Sequence, residues 1–337
     1  MIAITGGGTG GHLVIAKALK EEFNKLGIKP IYIGSSKGQD KLWFENSEGF
    51  EDKYFLNSQG VVNQKGLKKL ISLFYVLKLL FTCRDIFKKH NIKKVICVGG
   101  YSAAPASICA VILGKKLYIH EQNAISGKLN TLLKPFAKAF FSSYNTLSPC
   151  SDYPVNQTYF NYARIRKEFK NIIFLGGSQG ANSINVLAMQ MAPILKKHNI
   201  GIIHQTGSKE FDEVNTFYKN NDIKADVFAF SDTLAQKMAE ADFAISRSGA
   251  STLWELCACG LPSLFIPYQH AAKNHQYHNV LPLLKDNLAQ LRMQNDLNPD
   301  KIWQSIKNLN LELISQNLMT KIKPFGAKKI VDYIMEN

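Results

Sequence analysis

The sequence predicts an α/β protein built from two doubly wound parallel-sheet domains that face each other across a cleft. Three observations carry this. Short apolar strand-like runs alternate with helical periods along most of the 337 residues. A strand–glycine–helix unit occurs twice, opening each half. Between the halves, residues 142–170 lose the rhythm and are rich in Ser, Tyr, Asn and Pro, which places the interdomain connection there.

The first unit is the stretch MIAITGGGTGGHL. Ile2, Ala3, Ile4 and Thr5 read as a buried strand, and Leu13, Ala16, Leu19 and Phe23 as the apolar face of a helix. Between them stand five glycines, Thr9 and His12. This arrangement sets bare backbone N–H groups at a helix N-terminus, where the macrodipole attracts phosphate. Gly6, Gly8 and Gly11 fit the dinucleotide spacing G-x-G-x-x-G. A tight strand–helix turn without a ligand has the same spacing. A dinucleotide site also requires an acidic residue at the end of the second strand. Here Gly34-Ser35-Ser36-Lys37 follows that strand, with no carboxylate before Asp40. With His12 at the helix start, the loop reads as a catalytic loop and His12 as a proton acceptor.

Further strands are predicted at residues 31–33, 53–56, 95–98, 117–120 and 139–141, with helices at 67–89, from Ala104, and at 128–133. The second half opens with a strand at 171–175 and the turn Gly176-Gly177-Ser178-Gln179-Gly180. Strands at 200–204, 226–230, 243–246 and 263–267 follow. Ser246-Arg247-Ser248-Gly249-Ala250-Ser251-Thr252 leaves one strand and opens a helix, with Glu255 inside it. A carboxylate there can accept two ribose hydroxyls, or be a helix-start glutamate favoured by the dipole. Tyr268-Gln269-His270, Asn274-His275-Gln276 and His120-Glu121-Gln122-Asn123 end strands and offer side chains to sugar hydroxyls, or only loop hydrogen bonds.

The net charge of +15 calls for an anionic partner: nucleic acid, a membrane surface or a phosphorylated substrate. Basic residues are not interleaved with aromatics as in single-strand binders, so nucleic acid is not expected. Six cysteines without CxxC or histidine spacing read as buried, reduced thiols of a cytosolic protein. No signal peptide, transmembrane run, Asp-x-Asp, G-x-S-x-G or H-E-x-x-H is found, so neither metal nor cofactor is expected. Residues 70–81, LISLFYVLKLLF, are apolar but for Ser72 and Lys78. Lys65, Lys68 and Lys69 precede them, and Arg84, Lys88, Lys89, Lys93 and Lys94 follow. An apolar helix with basic flanks can lie in an anionic membrane interface. The alternative is a crossover helix buried on the sheet. Leu73, Val76 and Leu80 add a second apolar stripe that favours the membrane.

GGGTGGH (6–12), VGGYSAAP (98–105), HEQNAISGKLN (120–130), GGSQGAN (176–182), SRSGAST..E (246–255) and PYQHAAKNHQYHN (267–279) together closely resemble the MurG family of bacterial glycosyltransferases. The resemblance implies a GT-B fold of two Rossmann-like domains, 1–163 for the acceptor and membrane and 164–323 for the donor, with a C-terminal helix at 324–337 crossing back to the first. It implies inverting, metal-independent transfer of GlcNAc from UDP-GlcNAc to the MurNAc 4-hydroxyl of lipid I, giving lipid II. The place of action would be the cytoplasmic face of the inner membrane, with other cell-wall synthesis proteins as possible partners. By position, Thr9, Gly10, Gly11, Asn123, Arg164, Ser178, Ser231, Ala250, Ser251, Thr252, Glu255 and Gln276 would bind UDP-GlcNAc. His12 would be the base, with Glu121 behind it. Gly6, Gly8 and Tyr101 would meet the acceptor, and Lys65, Lys68, Lys69, Leu73, Phe74 and Leu77 the membrane. A nicotinamide oxidoreductase, a non-catalytic membrane-surface protein and a relative acting on another lipid acceptor are the alternatives.

Overall fold

A computed structural model describes residues 1–58, 67–177 and 180–337, and for residues 67–77 the backbone alone. The chain divides into two units, Met1–Pro154 with Phe325–Asn337, and Val155–Pro324. Residues 155–163, grouped with the first domain from the sequence, thus belong to the second unit.

The first unit contains β1 (Ile2–Thr5), α1 (Gly10–Lys25), β2 (Ile31–Ser35), α2 (Asp40–Phe44), β3 (Asp52–Leu56), α3 (Leu67–Lys89), β4 (Lys94–Cys97), α4 (Ala104–Ile112), β5 (Lys116–His120), α5 (Lys128–Leu133) and β6 (Ala139–Phe141). The second contains α6 (Gln157–Asn161), β7 (Asn171–Leu175), α7 (Asn182–Lys197), β8 (Gly201–Gln205), α8 (Phe211–Asn220), β9 (Ala225–Phe228), α9 (Leu234–Glu240), β10 (Phe243–Ser246), α10 (Ala250–Cys259), β11 (Ser263–Phe265), α11 (His275–Lys285), β12 (Ala289–Leu291), α12 (Pro299–Ile306) and α13 (Leu311–Met319). The last helix, α14 (Gly326–Glu336), belongs to the first unit.

Both sheets are parallel and share one winding: β3-β2-β1-β4-β5-β6 and β12-β11-β10-β7-β8-β9. Central strands covered on both faces are near-continuous apolar runs. IAIT of β1 and FAIS of β10 are accordingly buried at every position. The order reverses between β1 and β4 and again between β7 and β10. At such switch points the loops leaving the carboxyl ends of the strands diverge and leave room for a ligand.

In the first unit, Ala3, Ile33, Val95 and Ile119 pack with Ile86 and Phe87 of α3 and Ala106 and Ala110 of α4. Leu79 and Leu80 lie against the same cluster, so this half of the apolar segment is a crossover helix on the sheet. The second stripe therefore loses Leu80 to the core, while Phe81 is 66% exposed. Lys65 and Ser178 lie outside the described residues, as do the side chains of Lys68, Lys69, Leu73, Phe74 and Leu77. Helix α14 packs on α1, with Tyr333 against Phe141, Lys329 paired with Asp152 and Lys94 Nζ donating to Ile334 O. All six cysteines are unpaired, and only Cys150 is not buried. Several elements escaped the sequence pattern, among them β12 and α2. Strand β12 has only three residues, all half-buried, and α2 is a single turn.

Candidate active site

In the first unit the glycine loop is shaped from beneath. Asp40, completely buried, accepts hydrogen bonds from Gly8 N (2.5 Å), Ser35 N (2.9 Å) and Tyr32 Oη (3.1 Å). The Tyr32 hydroxyl also reaches Gly6 O at 2.9 Å. Gly7 N donates to Gly99 O at 3.1 Å. Gly6 has φ +125°, and a Cβ there would stand 2.4 Å from Gly99 O, so only glycine lets the two switch-point loops touch. Two expectations change here. The carboxylate missing from the end of β2 is present five residues later at Asp40, but it faces inward and cannot reach a ribose. Of Gly6 and Gly8, expected to meet the acceptor, the Gly6 carbonyl and the Gly8 N–H are each bonded within the protein. Tyr101 is a buttress too: its ring packs on Gly8 and its hydroxyl donates to Lys37 O at 2.6 Å.

The donors that can face an anion are therefore at the start of α1, from Thr9 onward. Thr9 precedes the helix, and its hydroxyl lies 3.0 Å from His12 Nδ1. The His12 ring lies along Gly99, where any Cβ would press on it at 3.0 Å. His120 lies nearby, and burial, helped by His12, lowers its pKa to about 3, so it is neutral. Glu121 accepts from Asn123 N (3.1 Å), Gly127 N (2.9 Å) and Asn130 Nδ2 (2.9 Å). Three donors on a buried carboxylate make it the organiser of the 121–130 loop, and it presents Asn123 from its own backbone bond.

In the second unit the loops after β7 and β10 meet at the switch point. Gly180 N donates to Gly177 O at 3.0 Å, and a Cβ on Gly180 would stand 2.5 Å from Thr206 O. Arg247 ties the carboxyl ends together. Its guanidinium donates to Ile266 O (3.0 Å), Pro267 O (3.2 Å), Gln294 Oε1 (3.2 Å) and Ser183 Oγ (2.8 Å), and it lies over the Tyr268 ring. Positive charge thus sits beside the first turn of α10, where Ala250, Ser251 and Thr252 follow the extended Gly249. Asn279 holds Ser248 O at 3.1 Å, and the buried Ser248 hydroxyl has no partner among the described residues. Gln276 Oε1 accepts from Tyr268 N at 2.9 Å, which turns its amide N–H2 to donate. Ser231 Oγ bonds Thr233 N at 3.1 Å in a local turn. Glu255 lies on α10, 8% exposed; burial pushes its carboxyl up to about 7, opposed by a hydrogen bond from Tyr159.

Arg164 departs from expectation. It donates to Ala239 O (2.6 Å), Ala241 O (2.9 Å) and Asp242 Oδ1 (2.7 Å), at the amino end of β10. That is the opposite end of the strand from the switch-point loops, so its side chain is a structural tie. Arg166, fully buried, bonds the carbonyls of Arg164, Met238, Ala241 and Cys259. Asp40, Tyr159, Arg166, Arg247 and Asn279 were all passed over in the sequence. The one local signal was Arg247 inside the SRSG motif. Among the described residues, no three His, Cys, Asp or Glu side chains come together as a metal-binding group.

Two Rossmann-like units of identical winding, each with a glycine loop at its switch point, define the chain as a GT-B-type glycosyltransferase. Residues 2–142 match the glycosyltransferase family 28 N-terminal domain and residues 171–334 the family 28 C-terminal domain. The chain belongs to glycosyltransferase family 28. A relative from Campylobacter fetus, named UDP-N-acetylglucosamine--N-acetylmuramyl-(pentapeptide) pyrophosphoryl-undecaprenol N-acetylglucosamine transferase, is 55% identical over 336 residues, covering 100% of both chains. One of the same name from Nitratiruptor is 51% identical over 330 residues, 98% of this chain and 97% of its own. A solved structure, that of Acinetobacter baumannii MurG, superposes with a TM-score of 0.80 at 25% identity over 100% of this chain and 99% of its own.

Proposed function

We propose that this protein transfers GlcNAc from UDP-GlcNAc to the MurNAc 4-hydroxyl of undecaprenyl-pyrophosphoryl-MurNAc-pentapeptide, lipid I, with inversion at the anomeric carbon. The full-length match at 55% identity to a transferase of that name carries the reading. The second unit takes the donor. The uracil sits by the end of β9 at Phe230–Ser231, the ribose on Glu255, and the diphosphate on the first turn of α10 and the start of the loop after β7. Gln276 donates to the sugar or phosphate. Positive helix ends and the Arg247 charge stabilise the departing UDP as its charge develops. The first unit contributes Asn123 and the start of α1, Thr9 to Gly11, whose backbone can meet a phosphate oxygen. His12 takes the proton of the 4-hydroxyl as the new C–O bond forms and the bond to UDP breaks. A transfer assay with labelled UDP-GlcNAc and a short-chain lipid I analogue tests this. Product is expected with that pair and not with UDP-GalNAc or a diacylglycerol acceptor. Transfer only to the diacylglycerol would assign the protein to another lipid glycosylation.

We further propose that the enzyme works at the cytoplasmic face of the membrane as a peripheral protein. Among the described residues no helix is long and apolar enough to cross a bilayer. Phe81, Ile112, Leu132 and Phe136, on and just after α3, α4 and α5, are each more than 60% exposed (66%, 65%, 65% and 61%), which supports contact with an apolar surface. Replacing Lys65, Lys68 and Lys69 together by Glu should detach the protein from anionic vesicles at low salt. Each such lysine contributes about 1 kcal/mol near an anionic surface. Equal co-sedimentation of variant and wild type would remove the lysines from this role.

A further inference from the structure

Asp40 opens α2, and with Phe44 one turn on it faces the interior. Its two oxygens are fully enclosed and divide three donors between them. Oδ2 accepts from Gly8 N at 2.5 Å, and Oδ1 from Ser35 N at 2.9 Å and the Tyr32 hydroxyl at 3.1 Å. The carboxylate also lies against glycine backbone. A Cβ on Gly7 would stand 2.5 Å from Oδ1, and one on Gly34 2.7 Å from it. Gly8, at φ +85°, is held by the Tyr101 ring as well, which a Cβ there would meet at 2.5 Å. Gly7 N donates to Gly99 O at 3.1 Å. Two amides that a glycine loop of this spacing offers to a phosphate are thus bonded inside the unit.

What the carboxylate fixes is the entry into α1. Its bond to Gly8 N sets the plane of the Gly7–Gly8 peptide, one residue before Thr9. Thr9 is extended, at φ −136° and ψ 155°. Its carbonyl accepts from His12 N (3.2 Å) and Leu13 N (3.3 Å), and its hydroxyl lies 3.0 Å from His12 Nδ1. A carboxylate has only acceptors, so it serves all three donors at once. An amide in its place would turn N–H2 toward Gly8 N, or toward the Ser35 and Tyr32 donors. A buried donor facing a donor is unfavourable, and glycines that tolerate other dihedrals would turn to relieve it. We propose that Asp40 is a positioning residue for the transfer: through Gly8 and Thr9 it holds His12 in place for the reacting hydroxyl. This role rests on the reading of His12 as the base.

The test is steady-state transfer by the full-length protein from UDP-GlcNAc to a short-chain lipid I analogue, with donor binding measured apart by calorimetry. Asp40→Asn should lower kcat about 10- to 100-fold, the effect of a displacement of about 1 Å at a reacting group. The dissociation constant of UDP-GlcNAc should stay within about twofold of wild type, as the proposed donor contacts lie mainly in the second unit. A role confined to stability would lower the urea midpoint and leave kcat per folded molecule at the wild-type level. That result, beside an impaired His12→Ala, would overturn the role of Asp40 alone. A wild-type kcat in His12→Ala would overturn the base reading together with it. In the His12→Ala background, Asp40→Asn should cost less than about a further twofold, because the group it positions is gone. Fully multiplied losses would overturn the path through His12. Should Asp40→Asn not fold, Tyr32→Phe carries the test. It keeps the carboxylate and the ring contacts with Phe44 and Phe50, at 4.6 and 5.4 Å, but removes the hydroxyl from Oδ1 and from Gly6 O. It should lower kcat about fivefold, the equivalent of one hydrogen bond, with donor binding unchanged. A wild-type kcat there would overturn the proposal in its place.

Discussion

Replacing His12 by alanine should lower kcat for transfer to lipid I about 10²- to 10⁴-fold, the range a general base supplies. His12 Nδ1 lies 3.0 Å from Thr9 Oγ1; in the proposed role the tautomer with its proton on Nδ1 would present the Nε2 lone pair to the acceptor hydroxyl. Binding of UDP-GlcNAc should stay within about twofold of wild type, since the proposed donor contacts lie mainly in the second unit. Steady-state transfer rates with saturating donor and acceptor decide the matter. A kcat within tenfold of wild type would reassign the base. Thr9→Val should cost less, because it frees the imidazole tautomer without removing the ring.

Arg166→Met should destabilise the second unit by about 3–5 kcal/mol, the range for removing one member of a buried charged cluster. The guanidinium is fully buried, and its partners include Met238 O, Ala241 O and Cys259 O, at or just beyond the carboxyl ends of α9 and α10. Those carbonyls have no further helical N–H to bond and carry the negative end of each dipole. Methionine fills much of the space but donates nothing, so Met238 O loses its side-chain donor, and Ala241 O, Cys259 O and Arg164 O each lose one of two donors. Burial lowers the guanidinium only to about 10, so it remains charged at neutral pH. Urea unfolding followed by tryptophan fluorescence reads the change, since Trp254 and Trp303 are both buried in the second unit. A loss below about 1 kcal/mol would show that water or neighbouring donors replace the guanidinium. Arg164, half-exposed and paired with Asp242, should matter less on the same measurement.

The two arginines mark the limit of what could be read before the fold was known. Position in a motif pointed to Arg164 as a ligand of the donor, yet its guanidinium closes the amino end of β10. Both side chains leave one extended segment, and which carbonyls they meet depends on where α9 and α10 end, far away in sequence. Asp40 is a similar case. Its distance from β2 was visible, but its inward direction comes from the Tyr32 hydroxyl and the backbone of Gly8 and Ser35 converging on one buried point.

What the sequence determined by itself was local and periodic. Largely apolar runs such as IAIT and NIIFL read as covered central strands, and the glycines at 6–11 and 176–180 as tight strand–helix turns, so the class, the two halves and the places of the site loops followed. The tertiary structure decided the direction of the polar side chains. It turned Gly8 N to Asp40, gathered three donors on Glu121, and brought Arg166 onto the carbonyls at the ends of α9 and α10. Those choices depend on which buried polar groups lie within about 3 Å of each other after packing. Buried donors and acceptors must find partners, and the partners are supplied by chain segments whose meeting no local pattern encodes.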